Sequence, residues 1–175
     1  SKEYSRESIK LLLKNIETAV LNPTRQSRLG MSRGSYLAGK AINIAKTTAA
    51  HAFSYPLTKL FGIPHGHAVS LTIGTFYEHN CREVLYDKNL GSESSLKSTM
   101  SELNQMMNVE NCNEAKTRLT LLMSNIGLDS RLPETVNYRD SVSDVIENVN
   151  IERLSNNPVK VTTEDLTNIF KSLCT

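Results

Sequence analysis

The sequence predicts an all-α domain of several packed helices. Apolar residues recur at three- and four-residue intervals along most of the chain, strand-like alternation is almost absent, and Gly, Pro and Asn fall between the periodic stretches. Ile9, Leu12, Leu13, Ile16 and Val20 form one apolar stripe on a helix from about Ser5 to Leu21. Asn22 suits an N-cap and Pro23 a first helical position, so a second helix is expected from there to about Thr47. Ser35, Ala38, Gly39, Ala41 and Ala45 are the small residues expected to let that helix approach a neighbour closely. A third helix is predicted over Ala49–Phe61, a turn at Gly62-Ile63-Pro64, and a fourth helix opening at His65 and running to about Tyr86. Val69, Leu71, Ile73, Phe76, Tyr77 and Val84 lie nearly all round the fourth, which predicts a central, buried helix.

The Asn, Gly and Ser content from Lys88 to Ser95 marks a loop, after which Leu96, Met100, Leu103 and Met106/Met107 resume the helical pattern. Asn111 to Ile126 forms another helix, with Leu119, Leu122 and Met123 inward and Gly127 as its stop. A more polar stretch begins at Leu132-Pro133, a short helix is expected over Tyr138–Val149, and Asn156-Asn157-Pro158 is a break. Thr163, with Glu164 and Asp165 beside it, starts a last helix carrying Leu166, Ile169, Phe170 and Leu173. No internal repeat or low-complexity segment interrupts this order.

At 175 residues the chain suits one domain with its own core, about 100–200 residues being the usual size. Twenty basic against 18 acidic residues give a formal charge of +2, too near neutrality to mark a nucleic-acid or polyanion surface. Cys81, Cys112 and Cys174 are far apart, odd in number and in no CxxC arrangement, which argues against a disulfide framework and a cysteine zinc site and suits a reducing cytoplasm. No apolar run approaches the roughly 18 residues that span a bilayer, and Ser1–Lys10 has no apolar signal-peptide core, so no membrane partner is expected.

The chemistry-bearing segment runs from His51 to His67 and sets His51 and His65 fourteen residues apart across the Gly62-Ile63-Pro64 turn. Imidazole is the commonest protein ligand for transition metals, and two ligands on facing helices make half a metal site. His67 follows His65 by two residues, which puts the two rings on different helical faces and points to a second-layer or substrate hydrogen bond. His79, beside Asn80 and Cys81 with no partner at a ligand spacing, reads as surface.

His51, Pro56-Leu57 and Pro64-His65-Gly66 resemble the second signature of the iron-containing alcohol dehydrogenases. Weaker matches flank it at Ala38-Gly39-Lys40-Ala41, at Ile126-Gly127-Leu128 with Arg131-Leu132, and at Asn157-Pro158 with Thr163-Glu164-Asp165-Leu166. The resemblance implies the C-terminal helical domain of that fold, residues 1–175 forming one metal-binding unit. It implies His51 and His65 as ligands of Fe(II) or Zn(II), completed by an aspartate and a histidine on a helix preceding Ser1, and NAD(P)H held by an N-terminal nucleotide-binding domain that this chain lacks. The implied reaction is hydride transfer between a nicotinamide and a small aldehyde or alcohol whose oxygen the metal polarises, with this chain alone inactive.

Many members of that family carry a histidine where this chain has Tyr55, a candidate proton relay that is a weaker base than imidazole at neutral pH. The runs Ala-Phe-Ser-Tyr-Pro-Leu and Pro-His-Gly-His-Ala resemble those of the family's phosphonoacetaldehyde reductases, which makes a phosphonate-bearing aldehyde a candidate substrate. Lys59, Lys46 and Lys40 are candidate cations for such a group by sequence proximity, each weighed against an ordinary solvated lysine. A second reading from another class is a non-catalytic helical association module. The enzyme reading expects an apolar, incompletely closed surface around His51 and His65 and self-association through it, for instance as a homodimer; the module reading expects an ordinary polar surface.

Overall fold

In the computed structural model, residues 1–87 and 94–174 are described, and the helices among them follow the order α1 (Lys2–Leu21), α2 (Arg25–Ala45), α3 (Ala49–Phe61), α4 (His65–Tyr86), α5 (Ser95–Met107), α6 (Cys112–Asn125), α7 (Tyr138–Glu147), α8 (Ile151–Leu154) and α9 (Thr163–Cys174). No strand occurs among the described residues, so the all-α expectation holds. The predicted loop from Lys88 lies, as far as residue 93, outside the described residues. No described helix is long and apolar enough to cross a membrane.

The molecule is organised around α4, which packs against α3, α5, α6 and α9. Its Leu71 and Phe76 join Phe53 and Leu57 of α3, Val145 of α7, and Leu166, Ile169 and Phe170 of α9 in the main core. Fully burying each such side chain stabilises the fold by about 1.5–3 kcal/mol. Farther along α4, Cys81 and Val84 meet Met100 of α5 and Cys112 of α6 in a second core. Tyr77, also on α4, donates its hydroxyl hydrogen bond toward α5, to Asn104 Oδ1 at 2.7 Å, and burial pushes its pKa up to about 12. The helix is central as expected, although Ile73 is exposed.

Several local expectations are corrected. The N-cap of α2 is Thr24, not Asn22: Thr24 Oγ1 accepts from the Ser27 N–H at 3.0 Å and Ser27 Oγ accepts from the Thr24 N–H at 3.0 Å, a reciprocal box that satisfies two helix-end donors. Asn22 instead ends α1, donating its N–H to Thr18 O. The small-residue stripe of α2 is Ser27, Gly30, Gly34 and Ala41, all buried; Ser35, Gly39 and Ala45 face outward. Gly34 lets α1 come so close that Ser8 Oγ donates to its carbonyl at 2.8 Å, and a Cβ there would stand 2.8 Å from Leu12 Cδ2. α9 starts at Thr163 as expected, preceded by Thr162, whose Oγ1 accepts from the Asp165 N–H at 3.2 Å while Asp165 Oδ2 accepts from the Thr162 N–H at 2.8 Å. Cys81 and Cys112, read from sequence as unpaired, are joined as a disulfide with Cα atoms 5.9 Å apart, across 31 residues of sequence that carry no pairing signal. Cys174 is a free thiol whose pKa burial pushes up.

Lys46, at the joint between α2 and α3, has φ 64° and ψ −174°, a region otherwise confined to glycine and costing about 1–3 kcal/mol for other residues. Thr47 follows it into a buried position. Lys46→Gly is therefore expected to raise stability by about 1 kcal/mol after glycine's own entropic cost. Urea unfolding of the two proteins measures this, and a lowered midpoint would mean that the lysine side chain stabilises the joint more than its backbone strains it.

Candidate metal centre

On α3, His51, Ser54, Tyr55 and Thr58 recur at i, i+3, i+4 and i+7 and so share one face, while Ala49, Ala52, Phe53 and Leu57 are buried. His51 precedes the end of α3 by ten residues, about 15 Å along its axis. The chain recovers most of that distance in three residues. Gly62 adopts the left-handed conformation at φ 69°, with its N–H bonded to Thr58 O at 3.1 Å, and Ile63 is buried. Pro64 then fits φ −53° before α4, and a linker of this length extends about 10 Å. His65 consequently starts α4 level with Ser54 instead of beyond Phe61.

The His51 and His65 rings stand with centroids 5.5 Å apart and planes at 58°. Two imidazoles sharing one ion through bonds of about 2.0–2.1 Å have ring centres roughly 4.5–6 Å apart, so the pair fits a common metal. Ser54 orients the second ring. Its Oγ donates to His51 O at 2.8 Å, which uses the hydroxyl's one proton, so the 3.2 Å contact with His65 Nδ1 is a bond that Nδ1–H donates. That assignment rests on the hydrogen-bond network and leaves the His65 Nε2 lone pair free. One turn beyond Ser54, Thr58 Oγ1 is buried without a hydrogen-bond partner. Two neutral nitrogens suit Fe(II) or Zn(II) by ligand type. Among the described residues no group of three or more His, Cys, Asp or Glu side chains could hold a metal ion, so the histidines form an incomplete set.

Desolvation lowers the His51 pKa from its ordinary value, and the neighbouring His65 and Arg153 charges lower it further. Each effect favours the neutral imidazole that a metal needs. His51 is half-buried while His65 and Tyr55 are exposed, so the pair is incompletely closed. Its surroundings are mixed in polarity: the Tyr55 ring stacks on His65 at 5.6 Å, and the Arg153 guanidinium lies 5.3 Å from the centre of the Tyr55 ring.

Three of the residues singled out from sequence, His51, Tyr55 and His65, therefore come together. Others do not join them. Lys59 Nζ donates to Asn148 Oδ1 at 2.8 Å, and His67 Nε2–H donates to Asp129 O at 2.7 Å. Lys40 packs over the rings of Tyr4 and Tyr36, and Lys46 is exposed. His79 meets Lys160 O at 3.4 Å and lines a shallow cavity of about 200 Å³ with Glu78, Arg82 and Asp165. Sequence reasoning passed over Ser54 and Thr58, which helical spacing from His51 would have indicated, and Arg153, for which the local sequence carries no signal.

The profile of the Fe-containing alcohol dehydrogenase family, C-terminal, matches residues 2–174. The chain is 41% identical over 58 residues to a phosphonoacetaldehyde reductase of Streptomyces viridochromogenes, covering 33% of this chain and 15% of that protein. It is 33% identical over 97 residues to long-chain-alcohol dehydrogenase 1 of Geobacillus thermodenitrificans, covering 52% of this chain and 25% of that protein. Among solved structures it superposes on sulfoacetaldehyde reductase from Bifidobacterium kashiwanohense in complex with NAD+, with TM-score 0.82 and 26% identity over 99% of this chain and 43% of that one. An alcohol dehydrogenase from Oenococcus oeni shares the fold with TM-score 0.81 and 22% identity over 98% of this chain and 44% of that one. The chain thus spans less than half the length of each of these proteins.

Two outcomes are expected in the metal-free protein. Nitrogen-15 NMR should find His65 as the Nδ1–H tautomer, shifting in Ser54→Ala toward the mixture of free imidazole; an unchanged ring would remove Ser54's orienting role. His51 should take up its proton below the ordinary histidine value of about 6.5. Because its pKa is lower folded than unfolded, its stabilising contribution is complete above pH 6.5 and is lost as pH falls through the folded value. Chemical unfolding between pH 7.5 and 5 checks the sign: His51→Ala should flatten the decline.

Proposed function

The chain belongs to the Fe-containing alcohol dehydrogenase family, as its C-terminal part, and from that premise we propose that it is the metal-binding half of an NAD(P)-dependent aldehyde reductase or alcohol dehydrogenase. The observation that supports this most is the facing of His51 and His65, 5.5 Å apart across the α3–α4 linker, with Ser54 bonded to both residues. In this reading His51 and His65 hold Fe(II) or Zn(II) with two further ligands from an upstream segment, which also carries the nucleotide-binding domain. A cation held there would polarise the substrate oxygen, and a reduced nicotinamide would supply the hydride. Partial burial favours the neutral form of the His51 imidazole, and His65 is aimed by its bond to Ser54. Tyr55, against His65, donates a hydrogen bond to the reacting oxygen or relays its proton. The substrate is a small aldehyde carrying an anionic group. The names of two similar proteins, phosphonoacetaldehyde reductase and sulfoacetaldehyde reductase, support that class.

A non-catalytic association module is the second reading, favoured by one observation: the described residues bring together only two metal-binding side chains of the type required. Calorimetric titration with Fe(II) or Zn(II) separates the two. In the protein carrying its upstream segment, tight binding is expected, weakened in His51→Ala and in His65→Ala by more than the roughly 10–100-fold typical of losing an outer partner. Binding of neither metal nor nicotinamide by that protein would overturn the enzyme reading.

A further inference from the structure

The contacts of Arg153 set it against the candidate centre, and its charge, with that of His65, bears on His51. Its backbone N–H bonds to the Asn150 cap at 2.9 Å, which seats the short helix α8. From there the side chain reaches back to α3. Nη1 donates to the Thr47 hydroxyl at 2.7 Å, and the guanidinium carbon lies 5.3 Å from the Tyr55 ring centre. That same ring stacks on His65 at 5.6 Å. Thr47 is buried, and its carbonyl accepts a second bond from Asn156 Nδ2 at 3.2 Å, so the anchor under Arg153 is itself held.

A guanidinium has five N–H donors and stays charged at every accessible pH. Only one side-chain hydrogen bond of Arg153 is made within the described residues, and no described carboxylate pairs with it. Lys59 donates instead to Asn148, and Lys40 lies over the Tyr4 and Tyr36 rings. A half-buried, partly unsatisfied and pre-positioned fork of donors is suited to an oxyanion with several acceptor oxygens.

We propose that Arg153 anchors the anionic end of the substrate, gripping the tetrahedral phosphonate or sulfonate of a two-carbon aldehyde whose carbonyl lies toward His51 and His65. Such a molecule is short, and one ring, that of Tyr55, lies 5.3 Å from the Arg153 guanidinium and 5.6 Å from the His65 ring. The hydroxyl of Thr47 holds one edge of the fork and leaves the remaining donors for the anion. The proposal rests on the aldehyde-reductase reading and deepens it by naming the residue that selects the substrate.

The test compares the complete enzyme, Arg153→Gln and Arg153→Lys in reducing phosphonoacetaldehyde, sulfoacetaldehyde and propanal, the last a neutral aldehyde of similar size. Arg153→Gln should raise KM for an anionic aldehyde roughly 10- to 100-fold, as expected for charge-assisted hydrogen bonds, while propanal changes less than about threefold. Arg153→Lys should restore part of the loss. Which anionic aldehyde shows the effect decides between phosphonate and sulfonate. Equal losses for propanal and the anionic aldehydes would make Arg153 a structural tie between α8 and α3 and overturn the proposal, as would a wild-type enzyme without preference for either anion. Calorimetry with ethylphosphonate and ethanesulfonate separates this from the parent reading. Binding by the wild type that falls at least tenfold in Arg153→Gln supports the anion site even if no aldehyde is reduced, and absence of binding overturns it.

Discussion

The candidate site depends on one backbone constraint, the doubling back of the chain between α3 and α4. A helix that simply ended at Phe61 and restarted would leave His51 and His65 more than two helical turns apart. Gly62 supplies the left-handed residue that turns the chain, Ile63 buries its side chain, and Pro64 has no N–H to lose at the start of α4. The linker therefore returns along α3 and delivers His65 beside Ser54. The contacts of His65 follow from that return: the facing of its ring to His51, its bond with Ser54 and its stacking on Tyr55. α3 can serve as the fixed side of this arrangement because its other face is sealed into the main core by Ala49, Ala52, Phe53 and Leu57. Pro56 sits inside it and removes one helical bond, a weakness that the buried surroundings of the proline offset.

How much of this was legible in the sequence follows from the range of the interactions involved. The bounds of α3 and the start of α4 were readable because Gly62 and Pro64 act on their own neighbours. The histidine pair was readable because the linker is short enough for the same local signals to fix its geometry. The start of α2 was misread for a local reason, competition between two caps: Asn22-Pro23 offers one and Thr24 with Ser27 another, and the second satisfies two donors instead of one. The buried face of α2 was misread because small residues occur all round that helix. Only the approach of Leu12 and Asn15 of α1 singles out Gly30 and Gly34. Cys81 with Cys112, and Arg153 with Thr47, are separated by 31 and 106 residues, and no periodicity in one chain reports such pairs.

The two ends of the molecule differ in how firmly they are built. Neither core contains a described residue of α1 or α2, whose hairpin is closed by its own small-residue stripe and tied to α5 by the exposed Arg6–Glu102 ion pair. A pair of that kind adds about 0–1 kcal/mol, whereas each apolar side chain that α3, α4, α7 and α9 share in the main core contributes more. The site is thus carried by the well-packed part, which the hairpin meets at the Lys46-Thr47 joint and where Asn125 of α6 donates to Glu17 of α1 at 2.8 Å.

That joint couples two otherwise separate positioning problems. The histidines are placed by the return of the chain from α3 to α4, and α8 packs against α3. Arg153 is placed by the Asn150 cap on one side and the Thr47 hydroxyl on the other, neither of which touches the linker. Thr47 is nevertheless fixed by the same backbone that leads into α3, two residues before its first alanine, so a shift of α8 relative to α3 must break the Thr47 bonds to Arg153 and Asn156. The fold therefore holds the imidazole pair and Arg153 from different elements, and registers one against the other through the buried Thr47 and the Tyr55 ring. A substitution at Arg153 therefore reaches both parts of the site, because its guanidinium lies against the Tyr55 ring that stacks on His65 and its charge lowers the His51 pKa.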